Sequence, residues 1–225
     1  MTKNKKIIIW GASKFAELAA FYFNKDSEYS VVAYTVDDEY LAKEKIGNLP
    51  VVAFSRLKDI YSPQEHEIFI ATGYKDLGLL RCKKVNEVSQ LGYKLANYIS
   101  SDSTILSAIP PNSNIMIQEN VTIQPFCKIS EGTIFFTGSV ISHDSTIGPY
   151  SYIAPNVTVC GHVNIGEHCF LGAAATIKNN INVMNYSLIG IAALVMEDTI
   201  ENSVIYNKTE QITIKDSALN FAAKI

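Results

Sequence analysis

His143 and Asp144 stand side by side in the segment ISHDSTIG, and Gly161 follows eighteen residues after the histidine. A neutral imidazole, with an ordinary pKa of about 6.5, takes a proton from a nucleophile as it attacks. A carboxylate beside it orients the ring and stabilises the imidazolium that forms. A glycine N–H, with no side chain in front of it, can approach a reacting carbonyl and hold the oxyanion of a tetrahedral intermediate. Gly161 reads equally well as a turn glycine. Cys160 adjoins it without an activating partner in the sequence, which favours a packed thiol. His162 and His168 add zinc-ligand chemistry, provided that three ligands converge on one point.

A six-residue period must position these groups. One aliphatic side chain recurs as Ile105, Ile117, Ile123, Ile129, Ile141, Ile147, Ile153, Val159, Ile165, Leu171, Ile177, Val183, Ile189 and Val195, with Pro111 and Phe135 in phase at the gaps. Two places before it stand small or modest residues, such as Ser139, Ser145, Ser151, Cys169 and Ala175. A helix of 3.6 residues per turn scatters such a series around its surface. A short strand and a turn per hexad do not. Three hexads close a triangular coil, and coils stacked about 4.8 Å apart fill their prism with the aliphatic series. The spacing therefore predicts a parallel β-helix over residues 100–205. His143, two places after Ile141, falls at a corner and points outward. Gly161, one full coil on, lies beside it. Tyr152, half a coil away, sits on another face. His162 and His168, one hexad apart, diverge by about 120° in a three-sided coil, so only an interface between copies would unite them.

Residues 1–99 alternate strand and helix patterns: KKIIIW, a Gly-Ala-Ser turn, the helix KFAELAAFYFN with Phe15, Leu18, Ala19 and Tyr22 on one face, then VVAYTV, LPVVAF, a short helix near SRLKDIY, EIFIATG, LLRCKKVNEVSQLG and a closing strand YKLANYI. This predicts a small parallel α/β domain of Rossmann type. Its first strand-to-helix turn, Gly11-Ala12-Ser13, offers amides and a hydroxyl to an anion. It lacks the further glycines of a dinucleotide fingerprint. Asp37 and Asp38 end the second strand, and Gly73-Tyr74-Lys75 end a later one, all on the carboxyl edge where open α/β sheets bind ligands. Residues 206–225 read as a tail, with SALNFAAKI a short helix or a frayed end.

Of 225 residues, 48% are hydrophobic and 18% charged, with a net charge of −3, which excludes a disordered chain and argues against a nucleic-acid partner. The apolar runs are too short to span a bilayer, and Ile7–Trp10 is too short for the core of a signal peptide. A cytoplasmic protein is expected, with its four cysteines unpaired.

The α/β half opening on strand-Gly-Ala-Ser, the paired Asp37-Asp38, the IATG turn, the hexads and the His143-Asp144 pair together resemble the nucleotide-sugar N-acetyltransferases of the hexapeptide-repeat superfamily, related to the sialic-acid O-acetyltransferases. The resemblance implies a left-handed prism, a homotrimer with active sites in the clefts between copies, and acetyl-CoA as co-substrate without a metal. The acceptor would be the amine of a UDP-, dTDP- or GDP-linked amino-deoxy sugar, for surface polysaccharide or glycan synthesis. It places the nucleotide at Gly11, Ala12, Ser13, Asp37, Asp38, Gly73, Tyr74 and Lys75. His143 would be the general base, Asp144 its orienting partner and Gly161 the contact to the acetyl donor. Tyr152, Ala173 and Ile191 would line the coenzyme groove, although the family example has histidine at the place of Tyr152, and NSVIYNKTE replaces the family's Gly-x-Pro-Ala-Lys turn. Sugar O-acetylation is the nearest alternative. A zinc enzyme resembling the γ-class carbonic anhydrases and a non-catalytic trimeric scaffold or sensor are more distant ones.

Overall fold

A computed structural model describes residues 2–207. The expected tail lies outside them from residue 208 onward, SALNFAAKI included.

The first layer is built from β1 (Lys5–Trp10), α1 (Lys14–Lys25), β2 (Tyr29–Val36), β3 (Lys45–Ile46), β4 (Leu49–Ala53), α2 (Leu57–Ile60), β5 (His66–Ile70), α3 (Leu79–Gln90) and β6 (Lys94–Leu95). The sheet order is β3-β4-β2-β1-β5-β6, parallel except for the short antiparallel β3, which the sequence reading did not anticipate. From β1 the chain builds outward through β2 to β4, then returns to β1's other side as β5. The switch point therefore lies at the carboxyl end of β1, beside Gly11. Ile7, Ile8, Ile9, Ile68 and Ile70 are fully buried, as continuous apolar strands covered on both faces must be.

Helix α1 starts where the Ser13 hydroxyl accepts the Ala16 N–H at 3.3 Å. Its buried stripe is Ala16, Ala19, Ala20 and Phe23, not the expected stripe of Phe15, Leu18, Ala19 and Tyr22. The helix serves two surfaces at once. Phe15 stacks on Phe136 and Tyr22 packs on Tyr98, both from the stacked coils that follow the sheet, while Leu18 is exposed.

The second half is a left-handed parallel β-helix with three parallel sheets. Face A contains Tyr98–Ile99, Met116–Ile117, Ile134–Phe135, Tyr152–Ile153, Phe170–Leu171, Leu188–Ile189 and Val204–Ile205. Face B runs from Thr104–Ile105 to Leu194–Val195, and face C from Lys128–Ile129 to Asn182–Val183. Partners are eighteen residues apart, as in Val140 with Thr158 and Thr146 with Asn164, except in the last pair, where Leu188 meets Val204 sixteen residues on. The aliphatic series fills the prism, with Phe135 fully buried in phase. The expected closing strand YKLANYI divides. Lys94–Leu95 pairs with β5, whereas Tyr98–Ile99 pairs with Met116–Ile117 and opens the first coil, because its side chains already meet the prism's register. The prism thus begins at residue 98 rather than at 100.

Each hexad turns through a left-handed residue three places after its core side chain. From residue 114 to 192 every sixth residue has φ between 53° and 73°, and only Gly132 and Gly138 in the series are glycine. Glycines elsewhere in the hexad serve close approach instead. A Cβ at Gly148 would lie 2.4 Å from the Gly166 backbone. The small residues two before the core position also join coils: the Ser145 hydroxyl donates to Cys160 O at 3.0 Å and accepts Val163 N–H at 3.2 Å. The close-approach glycines and the left-handed corners make opposite predictions. Gly148→Ala should destabilise by about 1–3 kcal/mol through overpacking, whereas Ala174→Gly, at φ 58°, should leave stability unchanged or raise it by up to about 1 kcal/mol. Denaturant melts of the two variants check both signs.

Candidate active site

The corner between faces B and C carries the expected pair. The His143 Nδ1–H donates to Asp144 Oδ2 at 2.8 Å, which leaves Nε2 as the acceptor. Asp144 occupies the left-handed position of its hexad at φ 58°, a conformation Asp tolerates better than most residues. The His143 backbone is fixed as well: its N–H donates to Gln124 Oε1 at 3.0 Å, and its carbonyl accepts the His162 N–H at 3.1 Å. The ring lies over Gly161. A Cβ there would come within 2.9 Å of His143 Cε1 and 3.0 Å of Nε2. The Gly161 N–H has no acceptor among the described residues. A base nitrogen and an unpaired amide donor thus share one solvent-facing corner.

His162 joins this corner. Its ring meets His143 edge-on at 5.2 Å, and its Nε2 lies 3.9 Å from the Asp144 oxygen that holds His143. His143, Asp144 and His162 form a group of possible metal donors, all exposed. His168 does not converge with them. It sits at the corner between faces C and A, stacked between Tyr150 and Tyr186, with Nδ1 at 2.9 Å from Leu77 O. The three-histidine arrangement of the zinc alternative is therefore not assembled within one chain.

The expected nucleotide turns line a crevice of about 480 Å³ at the carboxyl edge of the sheet. Gly11, Ala12, Ser13, Asp37 and Gly73 border it, together with Trp10, Tyr40 and Lys83, which the sequence reading did not single out. Gly11 is required by its φ of 122° and by Ala71 O, which would lie 2.9 Å from a Cβ. One glycine therefore suffices at this turn. The Asp37 carboxylate accepts from Lys84 Nζ at 2.6 Å. Burial lowers the Lys84 pKa, and the bonds to Asp37 and Glu87 outweigh it, so the ammonium is held charged. Asp38 departs from expectation: both of its oxygens accept from Ser55, which holds its pKa low, and it does not border the crevice. Neither does the exposed Lys75.

Tyr74 turns toward the prism. It packs on Tyr152 and Phe170, and Tyr152 stands between Phe136 and Phe170. Burial raises the Tyr152 phenol pKa, so it stays protonated. With Ala173 and Ile191, one coil apart at the corner between faces A and B, these rings border a mostly apolar groove of about 360 Å³. The structure therefore gathers the expected residues other than Asp38 and Lys75 into three places: the crevice, the aromatic groove and the His143 corner. Gln124 and His162 were recoverable from coil arithmetic, lying nineteen residues before and after His143. Lys84 carried no such signal, since a lysine on a helix reads as solvated.

A small α/β layer on a hexapeptide prism defines a known architectural class. Residues 144–179 match the family model described as bacterial transferase hexapeptide (six repeats). The chain is similar to the acetyltransferase domain of PglB from Neisseria gonorrhoeae FA1090, with a TM-score of 0.80 and 20% identity over 91% of this chain and 97% of that one. It is similar to PerB from Caulobacter crescentus, determined with CoA and GDP-perosamine, with a TM-score of 0.77 and 21% identity over 90% and 94%. WeeI from Acinetobacter baumannii AYE matches with a TM-score of 0.74 and 21% identity over 91% and 97%. These likenesses establish the shared fold over both layers. They do not single out the sialic-acid O-acetyltransferase branch expected from the sequence.

Gly161→Ala tests the corner without touching the core. The added methyl should displace the exposed His143 ring, read as a changed imidazole NMR signal, while the melting temperature moves by only a few degrees, equivalent to about 1 kcal/mol.

Proposed function

We propose that the protein is an acetyl-CoA-dependent N-acetyltransferase acting on the amine of a nucleotide-linked amino-deoxy sugar, in surface polysaccharide or glycan synthesis. The observation that carries this reading is the His143–Asp144 pair, its ring packed against Gly161, whose N–H has no acceptor among the described residues. The amine nitrogen attacks the thioester carbonyl carbon, and His143 Nε2 takes the amine proton, directly or through a water. The Gly161 N–H stabilises the oxyanion, and Asp144 stabilises the imidazolium. Collapse breaks the C–S bond and returns the proton to the departing thiolate, giving the amide and free coenzyme thiol. No covalent enzyme intermediate is needed, and Cys160 stays outside the chemistry.

The crevice suits the nucleotide and the aromatic groove suits the pantetheine arm, with Tyr152, Ala173 and Ile191 along it. That PglB was also determined with acetyl coenzyme A, and PerB with CoA and GDP-perosamine, supports this pairing of substrates. The groove and the His143 corner occupy different edges of one prism. A cyclic homotrimer would bring one copy's corner to the next copy's groove, which makes the trimer part of the proposal. A cytoplasmic location, where acetyl-CoA and nucleotide sugars occur, belongs with it. Among the described residues no helix is long and apolar enough to cross a membrane.

A thiol-release assay with acetyl-CoA against UDP-, dTDP- and GDP-linked 4-amino sugars, beside their hydroxy counterparts, tests the reading. Release with one amino sugar is expected, and release with a hydroxy sugar alone would move the protein to O-acetylation. His143→Ala should lower turnover about 10²–10⁴-fold with the sedimentation coefficient unchanged. Undiminished turnover would remove His143 from the mechanism.

A further inference from the structure

Arg81, on α3, is fully buried and has no carboxylate within 4.0 Å among the described residues. All its hydrogen bonds go to backbone carbonyls. Nε donates to Gly132 O at 2.7 Å and Nη2 to Tyr150 O at 2.8 Å, both on the prism. Nη1 donates to Thr72 O at 3.1 Å and Gly73 O at 3.4 Å, in the turn that borders the crevice. A buried cation compensated only by carbonyl dipoles is expensive, and its field extends toward any anion above it.

The direction of those carbonyls has a consequence. In a trans peptide the C=O and the following N–H point oppositely. With the Thr72 and Gly73 carbonyls drawn inward to Arg81, the N–H groups of Gly73 and Tyr74 point outward. Neither has an acceptor among the described residues. Successive outward N–H groups make a concave anion site. Residue 73 is open, with nothing within 4 Å of a Cβ position, and Lys83 borders the same crevice. Gly73 lines the crevice and Tyr74 lines the aromatic groove, so the two donors stand on the rim between them. In a nucleotide sugar, the group that passes from nucleoside to sugar is the diphosphate.

We propose that Arg81 is a positioning residue that aims the Gly73 and Tyr74 N–H groups at the diphosphate of the nucleotide sugar. This rests on the nucleotide-sugar reading above. The arginine never touches the ligand; it sets the peptide planes and lends its charge from below.

Titration of ¹⁵N-labelled full-length protein with UDP, GDP and inorganic pyrophosphate tests the cradle without a mutation. The Gly73 and Tyr74 amide signals should shift with pyrophosphate and with the nucleotides, and not with the bare nucleosides. Arg81→Met and Arg81→Lys, checked for folding by circular dichroism, should weaken nucleoside diphosphate binding by about ten- to a hundredfold for Met and less for Lys, with nucleoside binding unchanged. In turnover the loss should fall on KM for the sugar nucleotide rather than on kcat. Nucleotide binding that leaves both amides unmoved would overturn the cradle while sparing the acetyltransferase reading. Shifts with CoA but not with UDP or GDP would give the diphosphate site to the other substrate and overturn the assignment. Failure of every nucleotide to bind would overturn both.

Discussion

A coil of eighteen residues must bring the chain back directly over itself, and nearly everything else in the molecule depends on that return. The requirement places one aliphatic side chain inward per hexad and puts a left-handed residue at each corner. It also forces residues eighteen apart into contact, so a ring at position 143 can lie flat only if position 161 has no side chain. The chemistry of the corner is thus a property of the stacking period.

The three corners carry the same backbone and are used differently. The column between faces C and A docks the α/β layer: Asn114 hydrogen-bonds both backbone groups of Ile70, Gly132 and Tyr150 accept from Arg81, and His168 meets Leu77. The column between faces B and C holds Asp144 and His162. The corner between faces A and B opens onto the aromatic groove. Left-handed backbone costs a non-glycine residue roughly 1–2 kcal/mol. The hydrogen-bonded ladders on either side of each corner over-determine the conformation and keep it. Rigid corners are a suitable base for a site in which tenths of an ångström between base and amide matter.

Of two buried cations, Arg81 ties the α/β layer to the prism and Lys84 is held within the α/β layer. Arg81 and Lys84 lie on one helix, three residues apart, and both face inward. Lys84 meets Asp37 and Glu87 and lies over the rings of Trp10 and Phe54. Arg81 relies on carbonyls alone. Lys84 is thus compensated by two carboxylates, while Arg81 is held only by carbonyl dipoles, two of them in the turn that borders the crevice.

The prism was legible because its period is local and repeated: each hexad states its inward residue, and coil arithmetic placed Gly161 beside His143. The α/β strands and helices were legible from their apolar runs, and the crevice from three polar turns on one edge. What the sequence could not express was how the layers meet. The buried stripe of α1 shifted because that helix packs against both the sheet and the prism, Tyr98–Ile99 left the sheet for the first coil, and Asp38 turned to Ser55. Arg81 and Lys84 lie in a helical segment whose pattern singles out neither, and docking against the prism and the crevice wall buries them. Sequence periodicity determined the scaffold and the pair upon it, since both follow from contacts at fixed separation along the chain. The joint between the layers was decided by tertiary structure alone, since its partners lie at separations that no period encodes.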